Sequence, residues 1–146
     1  MKHFLFIALL LSTLTACGQQ QNKTKKSKQQ TENSKTENTM DLSKISNETV
    51  RKAIEALQNN DKATWYTYFI DDATFTDDGN KMNFKSFFDN AFDKKEKFLE
   101  FDKIENEGKD LYGKFYAGQW GTFRVFFKFT LNNEGKISRL DIGQAG

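Results

Sequence analysis

The sequence predicts an α+β domain in which N-terminal helices pack on a curved antiparallel sheet, behind a leader and a polar tether. Three observations lead there. From Gln119 to Leu131 the odd positions are almost all apolar and the even ones mostly polar, the period-two pattern of a long half-buried strand. Upstream, Val50, Ala53, Ile54 and Leu57 recur at i, i+3, i+4, i+7, and so do Phe84, Phe87, Phe88 and Ala91. That is the apolar stripe of a helix. Ahead of both, residues 18–40 carry almost no apolar side chain.

The chain starts with a short basic segment, Met1-Lys2-His3, and an apolar run from Phe4 to Leu14. As a helix this run is too short for a hydrocarbon layer of about 30 Å, and it reads as a targeting segment. It ends in Leu14-Thr15-Ala16-Cys17-Gly18, which resembles the lipobox of bacterial lipoproteins. The resemblance implies that residues 1–16 are a signal peptide removed before Cys17, and that Cys17 is lipidated and holds the protein on a membrane. An ordinary secretory signal with a chance cysteine is the alternative. Gly18, where an Asp would stand for inner-membrane retention, implies the outer membrane if the source has one.

Cys17 is the only cysteine, and the only histidine, His3, leaves with the leader. That removes Ser-His and Cys-His nucleophile pairs and the usual His/Cys metal sets. No cofactor is expected. Oxygen sites for Ca²⁺ or Mg²⁺ stay open in principle. However, loops placed around Gly79 or Gly135 put Thr74 or Thr130 first and Lys85 or Asp141 last, where a calcium loop needs a carboxylate first and Glu last. No metal site is expected.

Residues 17–41 form the lipidated cysteine and a tether. Residues 18–40 hold five lysines and two glutamates, a net charge of +3, and too little apolar surface to offset chain entropy. As a disordered coil this spacer would reach roughly 25–30 Å. From Asp41 onward there are 16 basic and 18 acidic residues, a net charge of −2, with no basic patch interleaved with aromatics. Nucleic acid is not an expected partner.

Residues 42–146 suffice for one domain with one core. Ser46-Asn47-Glu48-Thr49 offers N-caps for the first helix, which Asn59-Asn60-Asp61 ends. Asp61 would cap a short second helix with Trp65, Tyr68 and Phe69 on one side. Ala73 to Thr76 reads as a short strand, and Asp77-Asp78-Gly79-Asn80 as a turn. Asn83 would cap the third helix. Lys94 to Lys97 reads as a solvated link, and Phe98 to Glu105 as a strand with a bulge or edge character. Leu111, Gly113, Phe115 and Ala117 would form the inner face of the next strand. The long strand follows, able to bend at Gly118 and Gly121. After a turn at Asn132–Lys136, the strand Ile137–Gly143 completes a meander.

With these elements the chain resembles the nuclear transport factor 2-like superfamily, the SnoaL-like or steroid-isomerase-like cone. The carrying stretches are Ile54-Glu55-Ala56-Leu57-Gln58-Asn59-Asn60-Asp61, Phe69-Ile70-Asp71-Asp72-Ala73-Thr74-Phe75 and Asn133-Glu134-Gly135-Lys136-Ile137. The resemblance implies a pocket between helices and sheet. It places Asp77 where the steroid-isomerase branch keeps its general base, able to take a proton next to a carbonyl. It places Ala53 and Phe127 where that branch keeps a tyrosine and a carboxylic acid as oxyanion donors. A base without such donors lacks the largest electrostatic contribution.

Candidate pocket residues are Trp65, Tyr68, Gln119, Phe123, Phe127 and Gln144, with Trp120 as a further ring that could stack on a ligand. Asp77-Asp78-Gly79 can equally be a plain turn, and Trp65 plain core. Arg124 and Lys128 flank Phe126 on the even face, the pattern of an outer sheet surface. Three readings follow. The first is a lipid-anchored, non-catalytic module that binds a small hydrophobic ligand or a protein. The second is a small lyase or isomerase acting on a hydrophobic carbonyl compound with Asp77 as base. The third is an envelope assembly part, docking as a homodimer or on another envelope protein through Tyr116, Trp120 and Phe126 on the outer face.

Overall fold

The structure is a computed structural model and describes residues 40–146. The leader, Cys17 and the tether as far as residue 39 lie outside the described residues.

Short polar side chains start each helix. The Asn47 side chain accepts from the Val50 N–H at 3.0 Å and opens α1 (Glu48–Gln58). The buried stripe is Val50, Ala53, Ile54 and Leu57, as the spacing predicts. Asn60 then turns left-handed at φ 56°, and the Asp61 N–H donates back to the Ala56 carbonyl at 2.8 Å. Asp61 caps α2 (Lys62–Thr67) by accepting from the Thr64 N–H. Of the three residues expected on that helix face, Trp65 is buried within it, Tyr68 ends it and Phe69 opens β1 (Phe69–Asp77). β1 is therefore longer than the expected Ala73–Thr76, and an irregularity between Phe69 and Thr74 leaves Asp71 and Asp72 exposed. Asp78 and Gly79, at φ 47° and 81°, turn the chain into the two-residue β2 (Asn80–Lys81). Asn83 caps α3 (Phe84–Asp93).

The C-terminal half supplies β3 (Lys97–Glu105), β4 (Asp110–Tyr116), β5 (Thr122–Leu131) and β6 (Ile137–Gln144). β3 is an edge strand with two register shifts against β4. The stretch from Gly118 does not run on as one strand. Gly118–Trp120 form a 3-10 turn, and the Ala117 N–H closes it by donating to the Gly121 carbonyl at 2.8 Å. Gly118 and Gly121 take φ 57° and 92°, a region that side chains other than glycine rarely enter, so alternation stops there and resumes at Thr122. β5 then places Phe127 and Phe129 inward and Arg124, Lys128 and Thr130 outward.

The expected curved antiparallel sheet closing as a cone is overturned. The six strands lie in the order β2-β1-β6-β5-β4-β3, so β2 and β3 are separate edges with no pairing between them and the sheet is open. It is also mixed, because β1 runs parallel to β6, with Phe75 beside Leu140 and Asp77 beside Ile142. A parallel neighbour needs a long crossover, and α3 with β3, β4 and β5 supplies it. Period-two alternation reports which face of a strand is buried, not which strand lies beside it. The Thr76 hydroxyl fastens the parallel pair by donating to Asp141 at 2.5 Å, and Arg139 pairs with the same carboxylate at 2.6 Å. The fold is α+β, three helices and an open mixed sheet sharing one core of Trp65, Phe75, Phe88, Leu111, Phe127 and Leu140 with their neighbours.

Candidate functional site

The core does not fill the space between α3 and the end of the sheet where β1 and β6 run out. A cavity of about 370 Å³ remains there. That volume lies within the usual range of small-molecule sites.

Strand periodicity decides what faces it. On β1, Asp77 falls two residues after Phe75 and so on the same inward face. On β6, Ile142 and Gln144 follow Leu140 in the same way, and on β5, Phe123, Val125 and Phe127 do so. α3 contributes Phe87 and Phe88 from its buried stripe, and β4 contributes Phe115. The 3-10 turn carries Trp120 to the rim, where it is 69% exposed.

Three carboxyl groups line this largely aromatic wall. Asp78 is held in place: its Oδ1 accepts from the Gln144 N–H at 2.9 Å. That approach depends on Gly143, where a Cβ would lie 2.5 Å from the same oxygen and 2.8 Å from the Phe126 ring. Asp77 and Glu96 have no side-chain hydrogen bond or ion pair among the described residues. Burial pushes the Asp77 carboxyl above its usual range, and the neighbouring Asp78 charge adds to the rise. Burial also raises Glu96, only partly offset by the Lys94 ammonium. Glu96 is 7% exposed. Desolvation penalises the charged form, so both groups hold a proton more tightly than a carboxyl in water. Each is accordingly a stronger base when ionised and can be a hydrogen-bond donor when protonated.

The sequence places Glu96 in a solvated link, and the structure buries it, because α3 ends in a left-handed turn. Lys95 takes φ 55°, and the Glu96 N–H donates to the Ala91 carbonyl at 3.0 Å. In this helix ending the residue after the left-handed one folds back on the last turn, a place that usually takes an apolar side chain. The available signal was positional: the α3 stripe stops at Ala91–Phe92, and the residue four to five further on packs back under it.

Comparison of the architecture with solved structures agrees with this description. An NTF2-like protein of unknown function from Cytophaga hutchinsonii superimposes with a TM-score of 0.55 at 19% identity, over 66% of this chain and 87% of the other. The fold is that of the NTF2-like proteins. An uncharacterised cystatin-fold protein from Novosphingobium aromaticivorans gives 0.54 at 20% identity, over 65% and 94% of the two chains. SalBIII, an epoxide hydrolase/cyclase-like enzyme with a role in pyran ring formation in the polyether salinomycin, gives 0.52 at 14% identity, over 70% and 92%. No protein-family model and no curated protein matches the sequence. At these identities the NTF2-like likeness establishes the architecture alone.

Within that NTF2-like frame the sequence candidates divide. Asp77, Phe123, Phe127 and Gln144 come together on the cavity wall, with Trp120 at its rim. Trp65, Tyr68 and Gln119 stand away from it. Trp65 is fully buried, its ring 4.8 Å from both Phe69 and Phe88. Tyr68 is half-buried at the end of α2, and Gln119 points from the 3-10 turn into solvent. Ala53 and Phe127 are both buried, so neither position that the steroid-isomerase resemblance marks for an oxyanion donor supplies one. On the outer face, Arg124 pairs with Asp102, and the Lys128 ammonium lies 5.0 Å over the Phe126 ring.

Proposed function

We propose that this chain is a lipid-anchored protein of the cell envelope. Its folded domain takes a small hydrophobic molecule into the cavity and moves a proton on it, with Asp77 as the general base. The observation that carries the catalytic half is the pair of carboxyl groups without partners among the described residues, Asp77 and Glu96, on the wall of a largely apolar cavity. A base of raised pKa abstracts a proton more strongly, and a second raised carboxyl can return it or donate a hydrogen bond to a developing oxyanion. Glu96 thereby offers a donor that neither Ala53 nor Phe127 can. That SalBIII, an epoxide hydrolase/cyclase-like enzyme, has the same architecture suits this reading, because epoxide opening and ring closure both require a proton to move.

The envelope half rests on Leu14-Thr15-Ala16-Cys17-Gly18. Among the described residues no helix is long and apolar enough to cross a membrane. Attachment through Cys17 is expected to send the protein into the detergent phase on cloud-point partitioning. Equal partitioning of Cys17→Ser would remove this half.

The test of catalysis is proton exchange. The protein is incubated in D₂O with a panel of hydrophobic cyclic ketones, and loss of the protons next to the carbonyl is followed by NMR. Wash-out by the wild type is expected to fall about 10²- to 10⁴-fold in Asp77→Asn. Binding of the ketones without any wash-out would leave the second reading, a non-catalytic binding module, which the apolar Ala53 and Phe127 favour.

A further inference from the structure

The polar side chains of the cavity wall are acidic or neutral. Asp77, Asp78 and Glu96 are carboxyl groups, and Asn90 and Gln144 are neutral amides. Among the described residues no lysine or arginine lines the wall. The Lys94 ammonium, on the link after α3, acts on Glu96 through its charge, and no ion pair joins them among the described residues. A carboxylate ligand would meet only negative potential here. A neutral ligand would leave the carboxyl groups without a countercharge. Glu96 is 93% buried by exposure (7% exposed), lines the cavity and has no hydrogen-bond partner for its carboxyl group among the described residues. A partly desolvated carboxyl in that position is neutral, hydrated by cavity water or paired with a cation.

The remaining wall is aromatic, with Phe115, Phe123, Phe127 and Trp120 presenting rings to the space. Ring faces attract a desolvated cation. Among the described residues no three His, Cys, Asp or Glu side chains converge as a metal ion would require. The carboxyl groups are thus spread over a cavity sized for an organic molecule, not gathered around a point charge.

We propose that the cavity selects an amphipathic organic cation, its ammonium group held at Glu96 in the negative field of Asp77 and Asp78 and its apolar part against the rings of β4 and β5. The proposal rests on the reading of this cavity as a small-molecule site and names its ligand class. It gives the two unpartnered carboxyl groups separate tasks. With a cation bound, Glu96 is ionised and anchors the charge in place of donating a proton, and Asp77 remains free to take a proton from the bound molecule. Cation binding favours the ionised form of Glu96, whose proton affinity burial has raised. Affinity for a ligand that stays cationic therefore rises with pH as that carboxyl ionises, with Asp77 contributing in the same direction, while the Lys94 charge weakens cation binding throughout.

The test is calorimetric titration of the full chain with three probes of nearly equal shape: 2-phenylethylammonium, 2-phenylethanol and phenylacetate, at pH 7 and constant ionic strength. The cation is expected to bind at least tenfold more tightly than the alcohol, and phenylacetate not measurably. Glu96→Gln is expected to erase that advantage and Glu96→Asp to keep most of it. The cation's affinity is expected to increase from pH 4 to pH 7 while the alcohol's stays level. Equal or tighter binding of the alcohol by the wild type, or an undiminished preference in Glu96→Gln, overturns the proposal. If the alcohol binds as well as the cation and the Asp77-dependent proton exchange persists, the small-molecule reading stands and the cation selectivity falls. If no probe binds, both fall.

Discussion

Two aromatic regions share the core of this domain, and they are finished differently. Around Trp65 the rings close on one another and leave the indole itself fully buried. Its centroid lies 4.8 Å from Phe69 and from Phe88, and Phe84 and Phe75 close the cluster from α3 and β1. Around Phe127 the ring of Phe98 packs edge-on at 4.9 Å and that of Phe115 tilted at 5.3 Å, but Phe115 and Phe127 both border the cavity. The first region has no carboxyl group within it; the second has two without partners. Both were built from the same residue type on neighbouring strands and helices. The unclosed region, with its desolvated acids, is the less completely packed of the two, as the binding role proposed for it requires.

Deletions should separate the two regions most sharply. Trp65→Ala is expected to cost about 3–5 kcal/mol by denaturant unfolding, because a packed cluster does not collapse around so large a void. Trp120→Ala, at the rim, should stay within about 0.5 kcal/mol. A comparable loss in both would mean that the rim is as much core as the Trp65 cluster. A smaller effect of opposite sign is expected at Glu96. A carboxyl whose folded pKa is raised adds stability below its unfolded pKa and loses it as pH rises through the folded value. Glu96→Gln should therefore stabilise the domain by about 1 kcal/mol at pH 7, where an ionised buried acid is costly. The gain should shrink toward pH 4. Destabilisation at pH 7 would point to a structural partner for Glu96 and close the second region after all.

The helices were the most legible part, because their signals are local. Asn47, Asp61 and Asn83 cap the elements they precede, the stripe from Val50 is buried, and that from Phe84 is half-buried at Phe84 and Phe87 and buried at Phe88 and Ala91. Strand faces were legible for the same reason: Phe127 and Phe129 point inward and Lys128 outward. Strand partners were not. Nothing in Thr74-Phe75-Thr76 announces a parallel neighbour more than sixty residues later, since that choice is made by the whole packed sheet. The break at Gly118–Gly121 was marked by its two glycines, yet the alternation on either side masked it. At the site, Asp77 could be placed from its spacing to Phe75. Glu96 could not be recognised by composition, because three lysines around it read as solvent. Only the geometry of the α3 ending turns it inward.

The most direct measurement is a carbon-detected NMR pH titration of the side-chain carboxyls in the full chain, following Asp77 and Glu96. Both are expected to titrate above the ordinary values of about 3.9 for Asp and 4.3 for Glu, and the Glu96 midpoint to fall when 2-phenylethylammonium is added. Ordinary midpoints for both groups, unmoved by the cation, would contradict a desolvated acid site in this cavity.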